Sequence, residues 1–187
     1  MESVAYLVLS GTIIACGGWV WETIYCSIAS RRLERRGMLM GPTCPIYGVS
    51  AIAVWLMLGW VEDALALFCL GFILSTALEY TTGALLERRF GRRWWDYSMF
   101  PGNISGLVCP EASAVFGLFS LIDVKLLQPA ILGGLASLDH ALTLSAAAAC
   151  LLVYAADLML TICRLDETTP RAYLAARAGQ VQKLFSR

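Results

Sequence analysis

The stretch "RRLERRGMLMGPTCPIYG" at 31–48 returns in expanded form as "LLERRFGRRWWDYSMFPGNISGLVCPEASAVFG" at 85–117. Each copy runs Leu-Glu-Arg-Arg, then a loop, then Gly-x-x-Cys-Pro, then an apolar run. Proline fits the first turn of a helix, where its missing N–H is no loss. Gly41 and Gly106 permit a chain reversal ahead of it. Each phrase therefore ends one helix and starts another, the new ones at Pro45 and Pro110. Gly41, Pro42, Cys44, Pro45, Tyr47, Gly48 and Cys109 form the expected loop motif.

The segments around the two phrases are apolar. Hydrophobic residues make up 58% of the 187, and the mean hydropathy is +0.67, above the roughly 45–50% apolar content of a soluble domain. A spanning helix needs about 20 mostly apolar residues. Candidate spans fall at 4–28, 45–61, 64–86, 111–128 and 142–163. The second is short, and the fourth is interrupted by Asp123 and Lys125. The fold class expected is an all-α polytopic membrane bundle of about five helices, read as two parallel hairpin repeats plus one extra helix. Residues 1–163 form the bundle and 164–187 a basic tail. In that tail Leu174, Val181, Leu184 and Phe185 suggest an amphipathic helix.

Charge sets the orientation. Thirteen of the 14 basic residues lie between spans one and two, between spans three and four, or after span five; Lys125 is the exception. Basic residues in short flanking loops stay cytoplasmic. The expected location is a bacterial cytoplasmic membrane, N-terminus outside and C-terminus inside. The first run lacks a basic leader and reads as a retained helix rather than a signal peptide. The seven cysteines are an odd number, and Cys26, Cys44, Cys109 and Cys163 lie near the cytoplasmic ends, where thiols stay reduced, so a disulfide framework is not expected. No CxxC spacing suggests zinc, and no cofactor is expected.

Four acids stand out. Glu22, Glu79 and Asp157 each lie about 10 Å inside the cytoplasmic boundary at 1.5 Å per residue, and Glu111 opens span four. A charge within a span is costly and should face protein or water. Near Glu79 lie Ser75, Thr76, Thr82 and Gly83; near Glu22 lie Gly11, Ala15, Gly18 and Tyr25; near Asp157 lie Tyr154 and Thr161. Small residues at this spacing allow close helix approach. Two readings stay open: the acids bond to loop arginines and hydroxyls and fix the packing, or they form a site for a cation, proton or polar substrate. Glu22, Glu79, Glu111, Asp157, Tyr25 and Thr82 are the candidate binding residues. The single histidine, His140, falls in an outer connection. Arg88, Arg89, Arg92, Arg93, Trp94 and Trp95 read as a lipid or partner contact at the headgroup level. Nucleic-acid binding is not expected, because the basic residues border spanning helices.

Taken together, "GWVWETIYCSI" (18–28), "RRGMLMGPTCPIYG" (35–48), "LEYTTGALLERRFGRRWWDYS" (78–98) and "NISGLVCPEASAVFGL" (103–118) make the chain resemble the bacterial family called putative ABC-transporter type IV, a permease family of the CmpB type. The family pattern includes Glu22, the 36–48 stretch, Leu78-Glu79-Tyr80, residues 94–97 and Glu111. The resemblance implies a non-enzymatic membrane subunit that moves a solute and works with a separate cytoplasmic ATPase. The chain has no G-x-x-x-x-G-K-[ST] stretch with which to bind ATP itself. A non-catalytic scaffold or regulator, binding lipid or protein through the basic loops, is the alternative. A membrane enzyme pairing an acid with a cysteine is a third reading. Membrane lipids and a second copy of the chain are further expected partners.

Overall fold

The computed structural model describes residues 2–168. The amphipathic reading of the tail beyond residue 168 lies outside the described residues. The described chain is helical: α1 (Glu2–Ser30), α2 (Pro45–Leu58), α3 (Ala64–Phe90), α4 (Pro110–Ile122), a π-helical turn (Asp123–Leu127), α5 (Gln128–Ala136) and α6 (His140–Thr168). Four helical stretches are long and apolar enough to cross a membrane: Val4–Ser30, Ala64–Phe90, Pro110–Ala136 and His140–Asp166. Large apolar side chains such as Ile28, Leu56, Ile73 and Leu152 point outward. In water that surface would aggregate; in lipid it is the solvated face.

Local chemistry explains the boundaries. The Asp63 carboxylate accepts the Ala66 N–H at 2.7 Å and starts α3. Gly91, at φ 67°, ends α3 in the left-handed region that glycine tolerates. Pro45 and Pro110 sit in the first turns of α2 and α4. The interruption read at Asp123 and Lys125 does not end the fourth span. The helix continues to Ala136 by widening into the π-helical turn. Pro129 lacks an N–H and its ring crowds the carbonyl four residues back, so a regular α-turn there is disfavoured. The ladder shifts instead, with the Gln128 N–H bonding to the Asp123 carbonyl. Lys125 reaches out of the helix to the carbonyls of Val61 and Glu62, at 2.9 and 3.1 Å.

The helices pair as α1 with α2, α3 with α4, and α1 with α6, while α2 touches α3. Glycines set the crossings. A Cβ on Gly48 would strike the carbonyl of Gly11, and one on Gly71 would strike Ser120. One apolar cluster joins Val54, Leu58, Val61, Leu67 and Val124; another joins Ala5, Leu9, Leu135 and Ala147.

Span two is the departure from a plain bundle. With 14 residues, α2 is about 21 Å long, against a hydrocarbon core of about 30 Å. It starts beside the middle of α1, where the Cys44 N–H bonds to the Ala15 carbonyl at 3.1 Å. The chain between α1 and α2 thus folds back along α1 for about 22 Å. The Trp19 indole secures it by donating to the Arg36 carbonyl at 2.9 Å. The connection before α4 likewise returns along α3, with Leu107 and Trp95 against Gly83. Irregular backbone at such depth is tolerated only where protein buries it or a cavity receives it.

Candidate functional site: a cavity between the two returning loops

The two returning loops, α1–α4, the π-helical turn and α5 line a cavity of about 520 Å³. Its walls are largely apolar and aromatic, including Trp21, Tyr47, Trp94, Trp95 and Phe119. Trp21 and Phe119 meet edge to face across the gap between α1 and α4, with centroids 5.9 Å apart. Three carboxylates line it: Glu22, Glu79 and Asp123.

The acids have different surroundings. Glu22 is half-buried and forms an ion pair with Arg36 at 3.2 Å. The Cys44 thiol donates to its other oxygen at 3.5 Å. Arg36 also donates to the Trp94 carbonyl at 3.1 Å, joining loop one to loop two. Glu79 is 5% exposed. One of its oxygens accepts the Tyr97 phenol O–H at 3.0 Å, and the other has no hydrogen-bond partner among the described residues. Burial and the neighbouring Glu79 push the Tyr97 phenol above the usual tyrosine range, so it remains a donor. Asp123, also 5% exposed, has no hydrogen bond to either carboxylate oxygen among the described residues.

An acid and a thiol do meet here, in Glu22 and Cys44. Nucleophilic work requires a thiolate. Burial, and then the adjacent Glu22, push the Cys44 thiol up to about 12. All seven cysteines are free, and among the described residues no group of three or more His, Cys, Asp or Glu could hold a metal ion.

The remaining candidates are distributed unevenly. Thr82, Pro45 and Tyr47 line the cavity with Glu22 and Glu79. Asp157 lies elsewhere: it accepts the N–H groups of Met40 and Gly41 at 2.9 and 2.7 Å, and the Thr161 hydroxyl at 3.1 Å, so it anchors loop one to α6. Gly41 is needed there because a Cβ would press on the Asp157 carboxylate, whereas Gly106 supplies a left-handed turn at φ 69°. Pro42 is exposed in the same loop, and Gly48 marks the crossing with Gly11. Glu111 is exposed in the first turn of α4, and Tyr25 is exposed beside Trp21. Cys109 is buried and its sulfur accepts the Ala112 N–H at 3.5 Å, capping α4. Arg89 pairs with Asp166 at 2.7 Å and Arg93 with Glu87 at 2.8 Å. Arg88 and Arg92 are exposed. Trp94 and Trp95 are half-buried and turned to the cavity, and the Trp95 indole donates to the Leu107 carbonyl at 2.9 Å. The sequence reading passed over Asp123, Tyr97 and the role of Arg36. The signal for Asp123 was available, since an ionisable residue inside an apolar run is a functional candidate by default.

This arrangement defines a class: a polytopic helical membrane protein with a largely apolar cavity. The chain belongs to the family described as Putative ABC-transporter type IV, which matches residues 11–162. No curated protein and no solved structure matches it.

Proposed function

We propose that the chain is a permease-like membrane subunit whose cavity binds an amphipathic organic cation, with Glu79 as the principal countercharge. The carrying observation is the free oxygen of Glu79 in an aromatic-walled cavity of about 520 Å³. Glu22 is offset by Arg36, whereas among the described residues no ion pair to Glu79 is seen. Aromatic faces attract cations, most strongly where water is excluded. The apolar body of the ligand would lie against α1 and α4, and its charge would replace the missing partner of Glu79.

In this reading residues 1–163 form the bundle, the arginine loops and the 164–187 tail face the cytoplasm, and a separate ATPase docks there. The test is equilibrium binding of tetraphenylphosphonium to the full chain in mild detergent. Glu79→Gln should weaken binding by about tenfold or more, the scale of one charge-assisted contact. Glu22→Gln should do less. Unchanged binding in Glu79→Gln, or no binding at all, overturns the reading. An ATPase that co-purifies stoichiometrically from native membranes would support the permease role, and its absence would count against it.

A further inference from the structure

The π-helical turn carries a second acid that the cation site does not use. Asp123 lines the end of the cavity away from the arginine loops. The Ser75–Ser120 contact, 3.5 Å between hydroxyl oxygens, fixes the register of α3 and α4. Counting four residues along α3 to Glu79 and three along α4 to Asp123 separates the two acids by about 10 Å. Gln128 is fully buried with its amide in reach of the Asp123 carboxylate, yet among the described residues neither the amide nor the carboxylate forms a hydrogen bond of ordinary geometry. Four buried polar atoms that face one another without a well-formed bond need an explanation. The π-turn supplies the geometry, because it sets residues five apart on one face, and such turns concentrate at functional sites.

The surroundings narrow the ligand. The turn packs on α2, α4 and α5, and Val124 packs with Leu67 of α3. The ionisable groups on these elements are few. Tyr47 and Glu111 lie in the first turns of α2 and α4, at the arginine-loop end. On α3 are Cys69, Glu79 and Tyr80, with Glu87, Arg88 and Arg89 near its arginine-loop end, and α5 has none. Lys125, within the turn itself, is committed to the carbonyls of Val61 and Glu62, beside Glu62 and Asp63. Across the cavity, α1 offers Glu22. None of these bonds to the Asp123 carboxylate. A buried ionised carboxylate without a partner costs several kcal/mol. Two carboxylate oxygens and one amide oxygen fall short of the six or more that a hard metal cation takes. A proton needs no such shell.

We propose that Asp123, backed by Gln128, is a proton-binding site at the far end of the cavity. In the loaded state the carboxyl O–H donates to the Gln128 Oε1. On unloading, the proton passes to water in the cavity, and rotation of the Gln128 amide presents Nε2–H to the carboxylate. A carboxamide carries both an acceptor and a donor, so one residue serves both states. The site does not depend on which solute the cavity takes.

Infrared spectroscopy of the full chain in lipid, as a function of pH and in heavy water, tests this. The expected result is a protonated-carboxyl stretch that shifts on deuteration, disappears at high pH, is absent in Asp123→Asn and persists in Glu79→Gln. A protonated-carboxyl spectrum unchanged by Asp123→Asn overturns the proposal. So does loss of the band on adding sodium at constant pH, which would assign an alkali cation instead. If Asp123→Asn does not fold, Gln128→Leu provides the second measurement: the band should move to higher frequency as its acceptor is lost, and an unmoved band overturns the proposal.

Discussion

The two returning loops begin with the same four residues and end with the same Cys-Pro, yet they handle their acids differently. In the first, the last arginine of the phrase, Arg36, turns inward and pairs with Glu22. In the second, its counterpart Arg89 turns outward to Asp166 on α6, and Arg93 turns to Glu87 and Asp96. The inward position is filled by the Tyr97 phenol. A guanidinium offsets charge; a neutral phenol orients a carboxylate without offsetting it. One repeated phrase thus yields a neutralised wall and an unneutralised one, and the second is where a cation is expected.

The largest effect should come from the glycine crossings that hold each hairpin. Gly48→Ala drives a methyl group into the backbone of Gly11, and overpacking of this kind costs about 3 kcal/mol at its upper end. Gly117→Ala meets the Phe68 ring, which can give way, and the Phe68 carbonyl at 3.1 Å, where a shift of a few tenths of an ångström suffices, and should cost about 1–2 kcal/mol. Gly17→Ala meets nothing within 4 Å and should be neutral or gain about 0.5 kcal/mol. Thermal melts in detergent would rank the three, and equal losses at Gly48 and Gly117 would erase the distinction between the hairpins.

Next comes the ion pair. Arg36→Gln leaves Glu22 without its cation. Breaking a fully buried pair costs about 3–5 kcal/mol, but this one is about a quarter exposed, so a loss of about 2 kcal/mol is expected. Adding Glu22→Gln should restore most of it, and a double-mutant cycle would read a coupling above about 1 kcal/mol. Additive losses would mean that the pair is not the reason for the inward arginine. On the second loop, Tyr97→Phe removes one bond to a carboxylate and should cost about 1.5 kcal/mol or more.

The smallest effect concerns Asp96. Its carboxylate accepts the Ser98 hydroxyl and N–H, which hold it below the usual aspartate range. A depressed carboxylate stabilises the fold above the unfolded aspartate range, near pH 3.9, and loses that contribution as pH falls through the folded value. Asp96→Asn should therefore melt slightly below the wild type at pH 7, with the gap closing in acid. A gap independent of pH would place Asp96 outside the electrostatics of the second loop.

The membrane helices were legible because hydropathy and the positions of arginine report them directly. Glu22 and Glu79 were legible as intramembrane acids with small or hydroxylated neighbours at helical spacing. Asp157 has the same sequence signature, but its partners are backbone N–H groups of a loop more than a hundred residues away. Helical periodicity carries no information about such contacts. Asp123 read as a break in a span because Lys125 follows it. Only the structure sends Lys125 to the carbonyls of the connection before α3 and leaves Asp123 facing inward. The indoles of Trp94 and Trp95 read as headgroup anchors; that both also line the cavity depends on a loop that returns along α3, which sequence periodicity does not report.

Arg36, itself in the first loop, ties that loop to α1 through the Glu22 carboxylate and to the second loop through the Trp94 carbonyl. Drawing the second loop away from the bundle by a few ångströms would strip the guanidinium of its carbonyl and leave it to the carboxylate alone. Movement at the arginine rim is thereby geared to the electrical balance of the chamber wall, with one residue acting as the clutch.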